Sequence, residues 1–175
     1  METMSVVNIV LTFSSDKLVQ LCSRIEICLD KLTPEQVWAR GNENANAVGN
    51  LALHLMGNVR QWILHGAGGQ PDVRLRDSEF ASRGGIDPSE LKRRLRSTVE
   101  EAAALIRALP PERLTERRTI QNYDVTVLEA VLHVVEHFSM HTGQIIFATK
   151  FLTGDDLGFY AHLGSPARRR AEKMP

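Results

Sequence analysis

The segment "HVVEHFSMHTGQ", residues 133–144, carries His133, His137 and His141 at intervals of four in an otherwise apolar stretch. Side chains four apart share one helix face, so two such imidazoles can hold one metal ion. Three cannot. On a helix rising about 1.5 Å per residue, His133 and His141 stand about 12 Å apart, whereas a zinc–imidazole bond is about 2.0–2.1 Å. The pair is either His133/His137 or His137/His141, and His137 belongs to both.

Two protein ligands hold a metal weakly, so a third is expected from another helix. His54 is the candidate, set among Leu51, Leu53, Leu55 and Met56 in "GNLALHLMGNVRQWILH". His65 precedes Gly66 and reads as a histidine favoured by the C-terminal end of the helix dipole. His162 lies near the C-terminus, and neither reads as a ligand. Three imidazoles without a carboxylate favour zinc or nickel over magnesium or calcium. They also leave coordination positions open, the arrangement of catalytic rather than structural sites. A purely structural role would require a partner for each buried imidazole, since an unmet polar group costs about 1–3 kcal/mol.

Asn58 follows His54 by one turn, and Gln144 follows His141 by three residues. Either is placed to orient an imidazole N–H or to meet substrate. Arg74, Arg76 and Glu79 read first as solvated loop charges and second as contacts to a charged substrate. Trp38 and Trp62 read as core aromatics.

The elements that must position these residues are helical. Val6, Val10, Phe13, Leu18, Leu21, Ile25 and Leu29 recur at helical spacing and predict a helix over about 5–31. "TPEQ" at 33–36 is a capping box that opens a short helix ending near Gly41. A second long helix is predicted over about 46–65, terminated by "GAGGQ". Residues 66–87 read as one long irregular segment, the kind of loop that often covers a site. "DPSE" starts a third long helix at Asp87, which stops at "LPP". Residues 109–124 read as a connection containing at most one helical turn. The fourth long helix covers about 125–152 and is closed by Gly154. No strand alternation stands out. The expected architecture is all-α, a four-helix bundle with long connections, forming a single metal-binding domain over 1–163 with a flexible tail at 164–175.

Composition narrows the function classes. Lys+Arg and Asp+Glu both number 21 in 175 residues, so no global charge draws the chain to nucleic acid. The basic "ARRRAEK" near the C-terminus reads as a solvated end. No apolar stretch is long enough to span a membrane. Cys22 and Cys28, six apart on one helix, point in different directions and form neither a disulfide framework nor a CxxC site. A reducing compartment and a cytoplasmic location are expected.

"LALHLMGNVRQWI", "RDSEF" and "EHFSMHTGQIIFATK" together resemble the DinB-like (YfiT-like) superfamily of metal-binding four-helix bundles. The resemblance implies a divalent ion on His54, His137 and His141, which selects the second pair and leaves His133 as a core histidine or one bonded to a neighbouring group. It implies homodimers through bundle faces. It also implies a thiol-dependent activity on a small-molecule substrate, an S-transferase or isomerase with a low-molecular-weight thiol as co-substrate. Metal-dependent hydrolysis is the alternative enzyme. It would call for a general base, and Glu136, the nearest carboxylate in sequence, is displaced by about 100° from His137 around the helix. A non-catalytic metal-binding or interaction bundle is the third reading. Nothing here points to DNA repair.

Overall fold

A computed structural model describes residues 5–163, so the 164–175 tail lies outside the described residues. The first helix, α1, spans Val6–Lys31 and is N-capped by the Ser5 hydroxyl. The capping box at Thr33 starts the short α2, Pro34–Val37. Next comes α3, Val48–Val59, whose backbone runs on as a π-helical segment, Arg60–Ala67. The Asp87 carboxylate caps α5, Pro88–Arg107. Thr126 and Glu129 form a capping box at the start of α6, Val127–Thr153, and Gly154 ends it in the left-handed conformation at φ 73°.

The four long helices form a bundle in which α1 and α3 each pack on both α5 and α6. Leu18, Ile25, Leu55, Leu95, Ile106, Phe138 and Ile145 are fully buried between them. At about 25 cal/mol per Å² of apolar surface, this core is the dominant stabilising contribution. Ion pairs from Arg96 to Glu26, Lys92 to Asp30 and Arg107 to Asp16 line the α1/α5 seam. These are exposed or half-exposed pairs, and they add little.

The connections depart from expectation in three places, all near the histidines. The 66–87 segment is not uniformly irregular, because Arg76–Ala81 forms a short helix, α4. It is pinned from below: Arg40 Nη2 donates to the Phe80 carbonyl at 2.7 Å, and Asn50 Nδ2 donates to the Glu79 and Ser82 carbonyls at 2.8 and 2.9 Å. The 109–124 connection holds a 3₁₀ turn, Pro111–Thr115, followed by two strands, β1 (Arg117–Ile120) and β2 (Tyr123–Thr126). They pair antiparallel around Gln121 and Asn122, whose φ values of 51° and 66° suit a tight hairpin turn. Four-residue strands without an Asn-Gly or Asp-Gly turn leave too weak an alternation to detect. Finally, the second long helix widens into π geometry at Arg60, with Gly68 N donating to Ile63 O at 2.8 Å. Such bulges concentrate at functional sites.

Candidate metal centre

Helix α3 supplies His54, and α6 supplies His137 and His141. Ring centroids lie 5.0 Å apart for His54/His137, 5.1 Å for His54/His141 and 4.4 Å for His137/His141. One ring nitrogen from each lies within 4.8 Å of those of the other two. His133 stands outside this cluster, packed on Trp62 at a centroid distance of 4.0 Å with the rings tilted by 36°.

Hydrogen bonds fix which nitrogens face the centre. His54 Nδ1 lies 2.9 Å from Glu79 Oε2. A carboxylate accepts, so a proton on Nδ1 serves this bond and leaves the Nε2 lone pair facing inward; Arg74 Nη2, a donor 3.1 Å from the same Nδ1, gives its hydrogen bond to Glu79 Oε2 instead. His141 Nδ1 likewise donates to Gln144 Oε1 at 2.7 Å, which frees its Nε2. His137 Nε2 lies 2.9 Å from His54 Nε2. Metal–imidazole bonds of about 2.0–2.1 Å put ligand nitrogens roughly 2.9–3.4 Å apart for angles between a right angle and tetrahedral. The His54/His137 spacing falls in that range and the His141 nitrogen lies within 4.8 Å of both, so the three together could hold a divalent ion. Oxygen acceptors hold the outward nitrogens of two imidazoles, the usual way a protein orients metal-binding histidines.

Protonation favours the same chemistry. Burial, reinforced by the neighbouring His141 and His54, pushes His137 down to about 3. Burial also lowers His141, against the opposing hydrogen bond to Gln144. At neutral pH both rings are neutral and able to ligate. Burial alone would raise the Glu79 carboxyl, but hydrogen bonds from Arg74 and His54, with the Arg74 charge, hold it below its ordinary value.

Arg74 and Glu79 are the main correction to the sequence reading. Far from being solvated, their side chains are only 3% and 9% exposed. Arg74 Nε and Nη2 donate to the two Glu79 oxygens at 2.8 and 2.9 Å, and Nη1 donates to Gln61 Oε1 at 3.0 Å. Gly57 makes room for the pair, since a Cβ there would come within 1.9 Å of Glu79 Oε1. A glycine inside an apolar helix, one turn after a buried histidine, was the available signal for a close approach.

The remaining residues divide between the site and its surroundings. Asn58, Trp62, Arg74, Arg76 and His133 line a cavity of about 510 Å³ beside His54 and His137, with Gln121, Tyr123, Val125 and Glu129 completing the wall. Trp62 is buried as expected of a core aromatic, yet it also forms part of that wall. Trp38 packs away from the site and donates to the Ile86 carbonyl at 3.2 Å. His65 Nδ1 donates to the Gln70 carbonyl at 2.6 Å, and His162 sits in a 3₁₀ turn at Ala161–Leu163. Glu136 is exposed and borders a different groove, between α1 and α6. The hydrolase reading thus loses its nearest candidate base.

A helical bundle with three imidazoles converging from two helices defines a class of protein with a site able to bind a divalent metal ion. More particularly, the chain belongs to the family described as "Protein of unknown function (DUF1572)", matched over residues 6–162. Two solved structures share its fold. A conserved protein from Enterococcus faecalis is 17% identical, covers 87% of this chain and 100% of its own, and superposes with a TM-score of 0.69. A DinB-like protein (YjoA) from Bacillus subtilis is 16% identical over 84% of this chain and 96% of its own, with a TM-score of 0.64. Among curated proteins no sequence match is found.

Proposed function

We propose that the protein is a metal-dependent enzyme acting on a small molecule, an S-transferase or isomerase that uses a low-molecular-weight thiol. His54, His137 and His141 hold zinc or nickel. The observation that carries this reading is the set of inward-facing imidazole nitrogens beside a cavity of about 510 Å³. When bound, the ion supplies Lewis acidity that lowers the pKa of a thiol reaching it. The thiol itself must come from solution. Cys22 and Cys28 are buried, and burial together with Glu26 pushes the Cys22 thiol up to about 12.

Exposed apolar side chains on α1 and α6, including Ile9, Phe13, Leu132, Phe147 and Phe151, support a homodimer built through these helices. No described helix is long and apolar enough to cross a membrane. We assign the protein to the cytoplasm on its free cysteines, and to small-molecule rather than nucleic-acid partners on its charge balance.

Mass spectrometric metal content of wild type and single alanine variants tests the site. His54→Ala, His137→Ala and His141→Ala should each lose most of the metal, and His133→Ala should retain it. Loss in His133→Ala with retention in His141→Ala would reassign the pair. The activity is tested by thiol consumption with zinc- and nickel-loaded protein across thiols and electrophiles. No turnover in any combination, with metal still raising the melting temperature, would leave a non-catalytic metal-binding bundle.

A further inference from the structure

The cavity wall has two features that the metal ligands do not use. The first is Arg76. Its neighbour Arg74 is consumed by Glu79, but among the described residues Arg76 has no carboxylate partner and makes no hydrogen bond. Its guanidinium lies over the Phe80 ring, 5.1 Å from the centroid, and Phe80 in turn packs on His54 at 4.7 Å. The cation is therefore stacked on the ring that backs a metal-ligand candidate, with its N–H groups unspent.

The second feature is the indole of Trp62. The residue is only 3% exposed, yet its Nε1–H has no acceptor. A buried donor without a partner is destabilising, and an oxygen of a bound molecule removes that penalty. Glu129, the other charged group on this wall, already gives its Oε2 to the Thr126 backbone N–H and hydroxyl as a helix cap. The unspent donors are the Arg76 guanidinium, a full positive charge, and the Trp62 N–H, and the unspent acceptors are the buried Asn58 Oδ1 and the second Glu129 oxygen.

We propose that this cavity selects a carboxylate-bearing small molecule. Arg76 grips the carboxylate, Trp62 N–H donates to an oxygen of the same molecule, and the Trp62, Tyr123 and Val125 side chains pack on its apolar portion. The assignment rests on the metal-enzyme reading only in taking this cavity as the substrate site, and it names the substrate's charge. Arg76 is a specificity determinant. A planar guanidinium pairs with a carboxylate through two parallel hydrogen bonds, which a neutral amide or ester does not match.

Titration calorimetry with two matched pairs of probes tests it: phenylacetate against phenylacetamide, and glutathione against its diethyl ester. Each is titrated into metal-free and zinc-loaded full-length protein. In at least one pair the carboxylate should bind roughly tenfold tighter, the equivalent of one charge-assisted hydrogen bond. Arg76→Gln should abolish that preference, Arg76→Lys should keep part of it, and Trp62→Phe should weaken both members of the pair together. Equal binding within both pairs, no binding of any probe, or an undiminished preference in Arg76→Gln overturns the proposal. A carboxylate preference in metal-free protein, combined with no thiol turnover when loaded, would sustain this inference while the enzymatic reading fails.

Discussion

The two helices that supply the imidazoles hold them by different means. On α3, His54 is buried and backed by a charge pair whose members are almost wholly out of water. On α6, His137 and His141 are half-buried, and among the described residues the one side chain hydrogen-bonded to His141 is the exposed Gln144. The α3 side is a long-range construction, with Glu79 delivered 25 residues downstream by a helix that Arg40 and Asn50 hold in place. The α6 side is a local one, in which the helical repeat does the positioning. Substitutions on the first side should therefore change stability and metal affinity together. Those on the second should change affinity alone at neutral pH.

The largest effect is expected from Glu79→Ala. It strands the Arg74 guanidinium in a buried position, and breaking a buried pair from one side costs about 3–5 kcal/mol. It also removes the acceptor that holds His54 in its metal-binding tautomer, a loss worth about 10- to 100-fold in metal affinity. Denaturant melts of the metal-free protein and competitive zinc titration read the two quantities. A variant as stable as wild type would mean that the charge pair is not built as described.

Gly57→Ala sharpens the comparison because two rules predict opposite signs. Intrinsic helix propensity favours alanine by about 1 kcal/mol. The added Cβ, however, would overlap Glu79 Oε1 and lie 2.9 Å from Arg74 Nε, so the carboxylate must leave. The buried pair should win, with net destabilisation in melts and weaker zinc binding. Net stabilisation would show that the Glu79 carboxylate can relocate without loss.

This asymmetry also separates what was legible in the sequence from what was not. The α6 pair is visible because helical spacing alone brings His137 and His141 onto one face, and geometry excludes a site shared by His133 and His141. The four long helices, the caps at Asp87 and Gly154, and the capping box at Thr33 that opens the short α2 follow from local chemistry in the same way. Choosing between His133 and His141 took a family resemblance, because spacing treats them alike. The Glu79–His54 contact was hidden, since it joins two segments across a turn whose path depends on Arg40 and Asn50. A charged residue in a loop reads as solvated until something buries it. The β1–β2 hairpin was missed for a related reason: Ile120 is the one buried residue of β1, packed against Gly66, and one apolar position makes no pattern.

A smaller effect separates the two sides by pH. In metal-free protein His137 is held down to about 3 from an ordinary 6.5, chiefly by burial. Between those values the unfolded chain binds the proton and the folded chain does not, so stability falls as pH drops from 6.5 towards 3. Glu79 acts lower. Its carboxyl is depressed below 4.5, so its stabilising contribution is present above 4.5 and is lost as pH falls through the lower folded value. Melts against pH should show an early loss reduced in His137→Gln, the remainder coming from His141 and His133, which burial also lowers, and a later loss missing from Glu79→Gln. An early loss undiminished in His137→Gln would mean that His137 is not its source.

The smallest effect is expected from Gln144→Ala. Gln144 is exposed and makes one described contact, accepting from His141 Nδ1 at 2.7 Å. Alanine favours the helix, and surface substitutions usually fall within about 0.5 kcal/mol, so stability should not measurably drop. The His141 ring then loses the acceptor that keeps its Nε2 unprotonated and turned inward. Water can replace that acceptor at an exposed position, so the fall in zinc affinity should lie at or below the lower end of the roughly 10- to 100-fold range for such partners. Competitive titration of Gln144→Ala beside Glu79→Gln measures the contrast directly. Glu79→Gln keeps an acceptor for His54 but removes the charge that neutralises Arg74, so it should lose more affinity and also lose stability. Equal losses in the two variants would mean that α6 holds its imidazoles as firmly as α3 does, and that burial of the supporting group is not what distinguishes them.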